Sequence, residues 1–142
     1  MIRAVFDANV FVSAAISPGG TPGRLIQMMI EGDKFEVAIT RQIEVEIRKV
    51  MQYPGVRKFV KGPISPEDWL DDLMVFSDVI EDIVGLKGVS VDPDDDKYLS
   101  ACLSGKASYL VTGDDHLLRL TVYEGVRIVS PGAFLGIFSG GS

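Results

Sequence analysis

The chain has 142 residues, with 14 Lys and Arg against 20 Asp and Glu, a formal charge of −6, and 46% hydrophobic residues. That length and apolar content suit one domain with a real core and argue against disorder, which needs low hydrophobicity and high net charge. One cysteine, Cys102, excludes an intrachain disulfide and makes a reducing, cytoplasmic setting the default; one histidine, His116, argues against a Cys/His zinc site and a triad resting on several histidines. No apolar run approaches the ~20 residues of a membrane span. Asp7 interrupts the N-terminal apolar stretch, so no signal peptide is expected either. Chemistry in such a chain falls to carboxylates.

In chain order, residues 2–7 form a short run of strand formers ending at Asp7. Thr21 and Pro22 open a helix that Gly32 stops. Residues 35–40 alternate with period two and read as a strand. Thr40 can cap the following helix, whose stripe is Ile43, Ile47, Val50 and Met51, and Tyr53-Pro54-Gly55 breaks it. Ser65 and Pro66, followed by acids, start another helix. Residues 78–83 suggest a short edge strand. Asp92-Pro93 opens a helix ended by Gly105, residues 108–112 and 126–130 read as strands, and 131–138 as a last short helix. Residues 1–138 are expected to form one domain, with a fraying tail at 139–142. The alternation argues for an α/β fold with a parallel sheet covered by helices on both faces.

Charge is unevenly spread. Residues 41–61 hold six bases (Arg41, Arg48, Lys49, Arg57, Lys58, Lys61) and two acids, whereas residues 67–82 hold seven acids and no base. The basic stretch is either a solvated helix face or a contact surface for phosphates. The overall negative charge excludes the broad basic surface of a nonspecific DNA coater but not a nucleic-acid substrate.

In an open parallel sheet, ligands sit outside the carboxyl ends of the strands. Two strands here end in carboxylates, at Asp7 and Asp114, and two helices carry acids near the same edge, at Glu46 and at Asp92–Asp96. Such carboxylates repel one another unless solvated or neutralised by a cation. All-oxygen ligands select Mg²⁺ or Mn²⁺, and the chemistry such a site supports best is phosphodiester hydrolysis by activated water. Asp92 reads as a helix cap, and Asp95 has the local role of a capping-box acid. Asp96 has no local role and shares a helix side with Leu99 and Leu103, so it ranks first as a ligand and Asp95 second. Helix-wheel geometry does not choose between Glu44 and Glu46. Asp115 is the expected cap of a short helix at 116–120. Cys102 reads as a small buried apolar residue.

These same residues carry a family resemblance. The segments 5–14 (VFDANVFVSA), 46–50 (EIRKV), 92–118 (DPDDDKYLSACLSGKASYLVTGDDHLL) and 126–134 (VRIVSPGAF) resemble a PIN domain of the VapC-like group found as toxins of toxin–antitoxin pairs. The resemblance implies a three-layer α/β/α sandwich with a central, mainly parallel sheet of about five strands. It also implies Mg²⁺- or Mn²⁺-dependent cleavage of single-stranded RNA that leaves a 5′-phosphate. The family's acids fall on Asp7, Glu46, Asp96 and Asp114, and its supporting polar positions on Asn9, Ser13 and Thr112. On this reading Asp7, Asp96 and Asp114 hold the catalytic ion, Glu46 holds a second ion or orients water, and the 41–61 bases contact phosphates. A small antitoxin protein and a homodimer are implied as partners, the latter covering apolar surface from 75–84 and 133–138. The alternatives are a phosphatase or phosphotransferase using Asp7 as nucleophile, and a non-catalytic module of this fold that binds a partner.

Overall fold

The structure is a computed structural model that describes residues 1–60, 63–90 and 92–139. Its frame is set by short strands. β1 (Ile2–Phe6), β2 (Phe35–Thr40), β3 (Asp78–Ile80), β4 (Tyr109–Val111), β5 (Val122–Tyr123) and β6 (Val126–Val129) form one sheet in the order β3-β2-β1-β4-β6-β5. The central β1, β2 and β4 are mostly buried and the edge strands β3 and β5 are mostly exposed. All pairs are parallel except β5 with β6, which are antiparallel. β1 is central: Ala4 lies opposite Val37 on one side and Tyr109 on the other. The sixth strand, beyond the five expected, is β5, a two-residue hairpin partner too short to leave a periodic signal.

The helices are α1 (Ala8–Ile16), α2 (Thr21–Glu31), α3 (Arg41–Met51), α4 (Pro54–Arg57), α5 (Pro66–Val75), α6 (Asp96–Ser104), α7 (Asp115–Leu118) and α8 (Pro131–Ser139). Local chemistry sets most of their ends. Thr40 Oγ1 accepts from Ile43 N at 3.3 Å and Ser65 Oγ from Asp68 N at 3.1 Å, capping α3 and α5. Gly32 closes α2 in the left-handed region at φ 76°. Gly105 ends α6 where a Cβ would stand 2.7 Å from the tip of Ile80 and 3.2 Å from the Ala38 Cβ, so a larger residue would have to push the Ile80 side chain aside.

Three local expectations are corrected, and one helix lies where no element was expected. α1 is a full helix whose polar residues are only Asn9 and Ser13, since Ala8, Val10, Phe11, Val12, Ala14 and Ala15 are all buried. Asp114, not Asp115, caps α7, accepting from His116 N at 2.8 Å. Asp92 caps a 3-10 turn at Pro93–Asp95 that precedes α6. Ser139, placed in the tail by sequence, closes α8, while 140–142 lie outside the described residues.

An aromatic cluster welds the sheet to α8. Phe134 packs edge-on against Phe6, Phe35, Tyr109 and Phe138 at centroid distances of 5.9, 5.1, 5.4 and 5.2 Å. Each buried phenylalanine contributes roughly 1.5–3 kcal/mol of apolar burial. This corrects the expectation that 133–138 offers a dimer surface: Phe134 is fully buried, and of this segment's large apolar residues only Ile137 is exposed. No helix among the described residues is long and apolar enough to cross a membrane.

The topology fixes where a ligand can sit. Chain order runs outward from β1 toward β3 on one side and from β4 toward β5 on the other, so the sheet reverses between β1 and β4. The carboxyl ends of those two strands bound the crevice where α/β sheets of this kind take ligands.

Candidate functional site

Asp7 follows β1 directly and caps α1, its Oδ1 accepting from Asn9 N at 3.0 Å. Its Oδ2 accepts from Thr112 Oγ1 at 2.7 Å, and Thr112 Oγ1 accepts in turn from Asp114 N at 3.0 Å. One buried hydroxyl thus ties the ends of β1 and β4 together and orients the Asp7 carboxylate. Thr112 is where the sequence placed a supporting hydroxyl. Asn9 and Ser13, one turn apart on α1, are exposed, and the Asn9 contact to Asp7 is made by its backbone.

Asp95, ranked behind Asp96 in the sequence, lies among the charges of Asp114, Asp92 and Asp7. Asp95 is only 8% exposed, and its Oδ2 is a buried oxygen with no hydrogen-bond partner. Burial together with the charges of Asp114, Asp92 and Asp7 pushes its carboxyl up to about 7. The capping-box bond that would have explained Asp95 locally is absent. Asp96 turns the other way. Its Oδ2 accepts from Gly88 N at 2.7 Å and Val89 N at 3.4 Å, and its Oδ1 from Ser90 N at 2.6 Å. Burial opposes that charge, but the backbone donors win and hold the Asp96 carboxyl below its ordinary value. Asp96 does share the buried side of α6 with Leu99, but its partners come from the 88–90 loop, which a helix wheel does not contain.

Glu46 stands in the second turn of α3 with both oxygens engaged. Tyr98 Oη donates to Oε1 at 2.7 Å, and the Lys97 ammonium pairs with Oε2. Tyr98 Oη also accepts from Ala8 N at 3.3 Å, so this buried phenol joins Glu46 to the start of α1 beside Asp7. Burial and the charges of Asp7 and Glu46 push the phenol up, fixing it as a donor. Tyr98 and Lys97 escaped the sequence reading. Their signal was a tyrosine on a buried helix stripe, whose hydroxyl requires a polar partner.

The basic stretch divides in two. Arg48 binds Glu44 at 3.0 Å and Asp71 at 2.7 Å, and Arg57 binds Gln52 at 3.0 Å and Glu67 at 2.5 Å. The hydrogen bonds from Gln52 and Arg57 hold the Glu67 carboxyl at about 2. Two of the six bases in 41–61 are therefore paired internally with acids of 67–82, joining α3 and α4 to α5. Arg48 and Arg57, expected as phosphate contacts, are engaged with these acids. Arg41, Lys49 and Lys58 are exposed and without a carboxylate partner; Lys58 lies 5.0 Å from the Phe59 ring. Lys61 lies outside the described residues.

Among the described residues no three Asp, Glu, His or Cys side chains are already arranged around one point as a metal cage. The donor set nevertheless suits a hard divalent cation. It is all oxygen, it contains an orphaned buried carboxylate oxygen, and its mutual repulsion is what a cation relieves.

A PIN domain family model matches residues 3–116. The uncharacterized protein MJ1680 of Methanocaldococcus jannaschii is 32% identical over 121 residues, spanning 84% of this chain and 75% of that protein. A chain in the crystal structure of VapBC2 from Rickettsia felis bound to a DNA fragment from their promoter superposes with a TM-score of 0.60 at 14% identity. That match covers 91% of this chain and 98% of the other, and it is a likeness of fold.

Proposed function

We propose that this chain, which belongs to the PIN domain family, is a metal-dependent endoribonuclease of single-stranded RNA and the toxin of a toxin–antitoxin pair. PIN domains are generally nucleases that typically use divalent metals. The observation that carries the reading here is the orphaned oxygen of Asp95, buried beside Asp7, Asp92 and Asp114 at the sheet's reversal point.

Asp7, Asp95 and Asp114 would hold Mg²⁺ or Mn²⁺. The ion supplies an activated water and charge neutralisation at phosphorus. Thr112 fixes the orientation of Asp7, and Tyr98 fixes Glu46, which orients the attacking water. Asn9 and Ser13, exposed on α1, face the approach to Asp7 as polar supports. Asp96 anchors the loop before α6 and thereby sets the direction of Asp95. Arg41, Lys49 and Lys58 contact backbone phosphates, which binds RNA without reading its bases.

The one domain spans residues 1–138 and works in the cytoplasm, held in check by a small antitoxin protein. Val75, Phe76, Val79 and Ile83 form an exposed apolar face along α5 and the β3 edge. A second copy of the chain would cover it.

A fluorescent single-stranded RNA tests the function. Cleavage in Mn²⁺ that stops with EDTA and is lost in Asp7→Asn is expected. Cleavage that survives EDTA, or no cleavage of any single-stranded RNA, contradicts the proposal.

A further inference from the structure

We infer that Lys97 is a built-in cation of the acidic site: its ammonium occupies Glu46 and limits the chain to one divalent ion, held by Asp7, Asp95 and Asp114. The inference rests on the metal site proposed above and specifies how many ions that site takes.

Two consecutive residues of α6 close Glu46. The Tyr98 hydroxyl donates to Oε1 at 2.7 Å, and the Lys97 ammonium pairs with Oε2. The ammonium is itself fixed from two further sides. Nζ donates to the Asp94 carbonyl at 2.8 Å and lies 5.0 Å from the Tyr98 ring centroid. Its side chain is 20% exposed, so this is a seated group rather than a waving surface lysine. Asp95, two residues earlier, presents the opposite condition: a buried oxygen with no partner. One arm of the acid set is thus neutralised from within, and the other is open.

Charge follows the same division. Asp7, Glu46, Asp95 and Asp114 carry four negative charges when ionised. One divalent ion and Lys97 offset three of them. A second ion on Glu46 would have to displace an ammonium in contact with that carboxylate or accept a like charge beside it. Substrate phosphate then meets one ion and one ammonium.

Counting Mn²⁺ bound per chain at pH 8, from the free-ion electron paramagnetic resonance signal in a dialysis series, tests the assignment. Wild type, Lys97→Arg and Glu46→Gln are each expected to bind one ion. Lys97→Met keeps the packing of the stem without its charge and is expected to bind two, returning to one in Lys97→Met with Glu46→Gln. Two ions in wild type, falling to one in Glu46→Gln, overturn the inference, as does a count of one in Lys97→Met. No ion in wild type overturns the underlying metal site as well, and zero is readily told from two. If Lys97→Met does not fold, the pair of wild type and Glu46→Gln decides: one in both supports the inference.

Discussion

Replacing Asp95 by Asn removes one titrating group while keeping its size, and the consequence can be worked from its surroundings. Burial and the charges of Asp114, Asp92 and Asp7 raise its carboxyl from 3.8 to about 7. Between those values the folded chain keeps a proton that the unfolded chain has lost, so unfolding releases it. Stability therefore falls as pH rises from about 4 to about 7 and stays low above that. The shift of some three pH units corresponds to about 4 kcal/mol as an upper figure, on the order of 10 °C in melting midpoint for a chain of this size. Thermal melts of wild type and Asp95→Asn in EDTA, from pH 4.5 to 8, isolate this contribution in the difference between the two proteins. Asp82 and Asp96 do not intrude. Burial opposes their ionisation, but their hydrogen bonds hold them below the ordinary value, so their stabilisation is lost only as pH falls below about 4. Wild type is expected to lose midpoint steadily relative to the variant as pH rises, and saturating Mn²⁺ to reverse that loss. Parallel curves for the two proteins would refute the placing of Asp95 among like charges.

Asp96→Ala leaves three backbone N–H groups of the 88–90 loop without their acceptor and is expected to cost about 3 kcal/mol in urea unfolding, whereas Asp95→Asn at pH 8 should cost nothing or stabilise. Tyr98→Phe removes the hydroxyl shared by Glu46 and Ala8 N and is expected to cost about 1–2 kcal/mol; a double-mutant cycle with Glu46→Gln should be non-additive, and additivity would deny their coupling. Lys49→Ala and Lys58→Ala should each shrink the slope of log affinity against log salt for single-stranded RNA by up to roughly 0.7. Arg48→Ala should leave that slope unchanged, since its guanidinium already serves Glu44 and Asp71.

The sequence was most informative where backbone chemistry is local. Thr40, Ser65 and Gly32 set helix ends through caps that any chain would use, and strands ending in Asp7 and just before Asp114 placed two acids at one edge. It was silent on α1, whose almost entirely apolar character removes the amphipathic period. It placed Asp96 on the buried side of α6 but did not show that the 88–90 backbone claims that carboxylate, leaving Asp95 as the acid with an unpartnered oxygen. Arg48 and Arg57 show a different limit. A charge count along the chain does not reveal that acids 10 and 23 residues later return to pair with these bases; the packing of α5 against α3 and α4 does so.

Titrating Mn²⁺ into wild type, Asp95→Asn and Asp96→Asn by calorimetry at pH 8 puts the assignment of the acidic site to its most direct test. Wild type and Asp96→Asn are expected to bind Mn²⁺, because Asp96 faces the 88–90 backbone, and Asp95→Asn to lose binding. Loss of binding in Asp96→Asn with binding retained in Asp95→Asn would contradict the account and return the third ligand to Asp96.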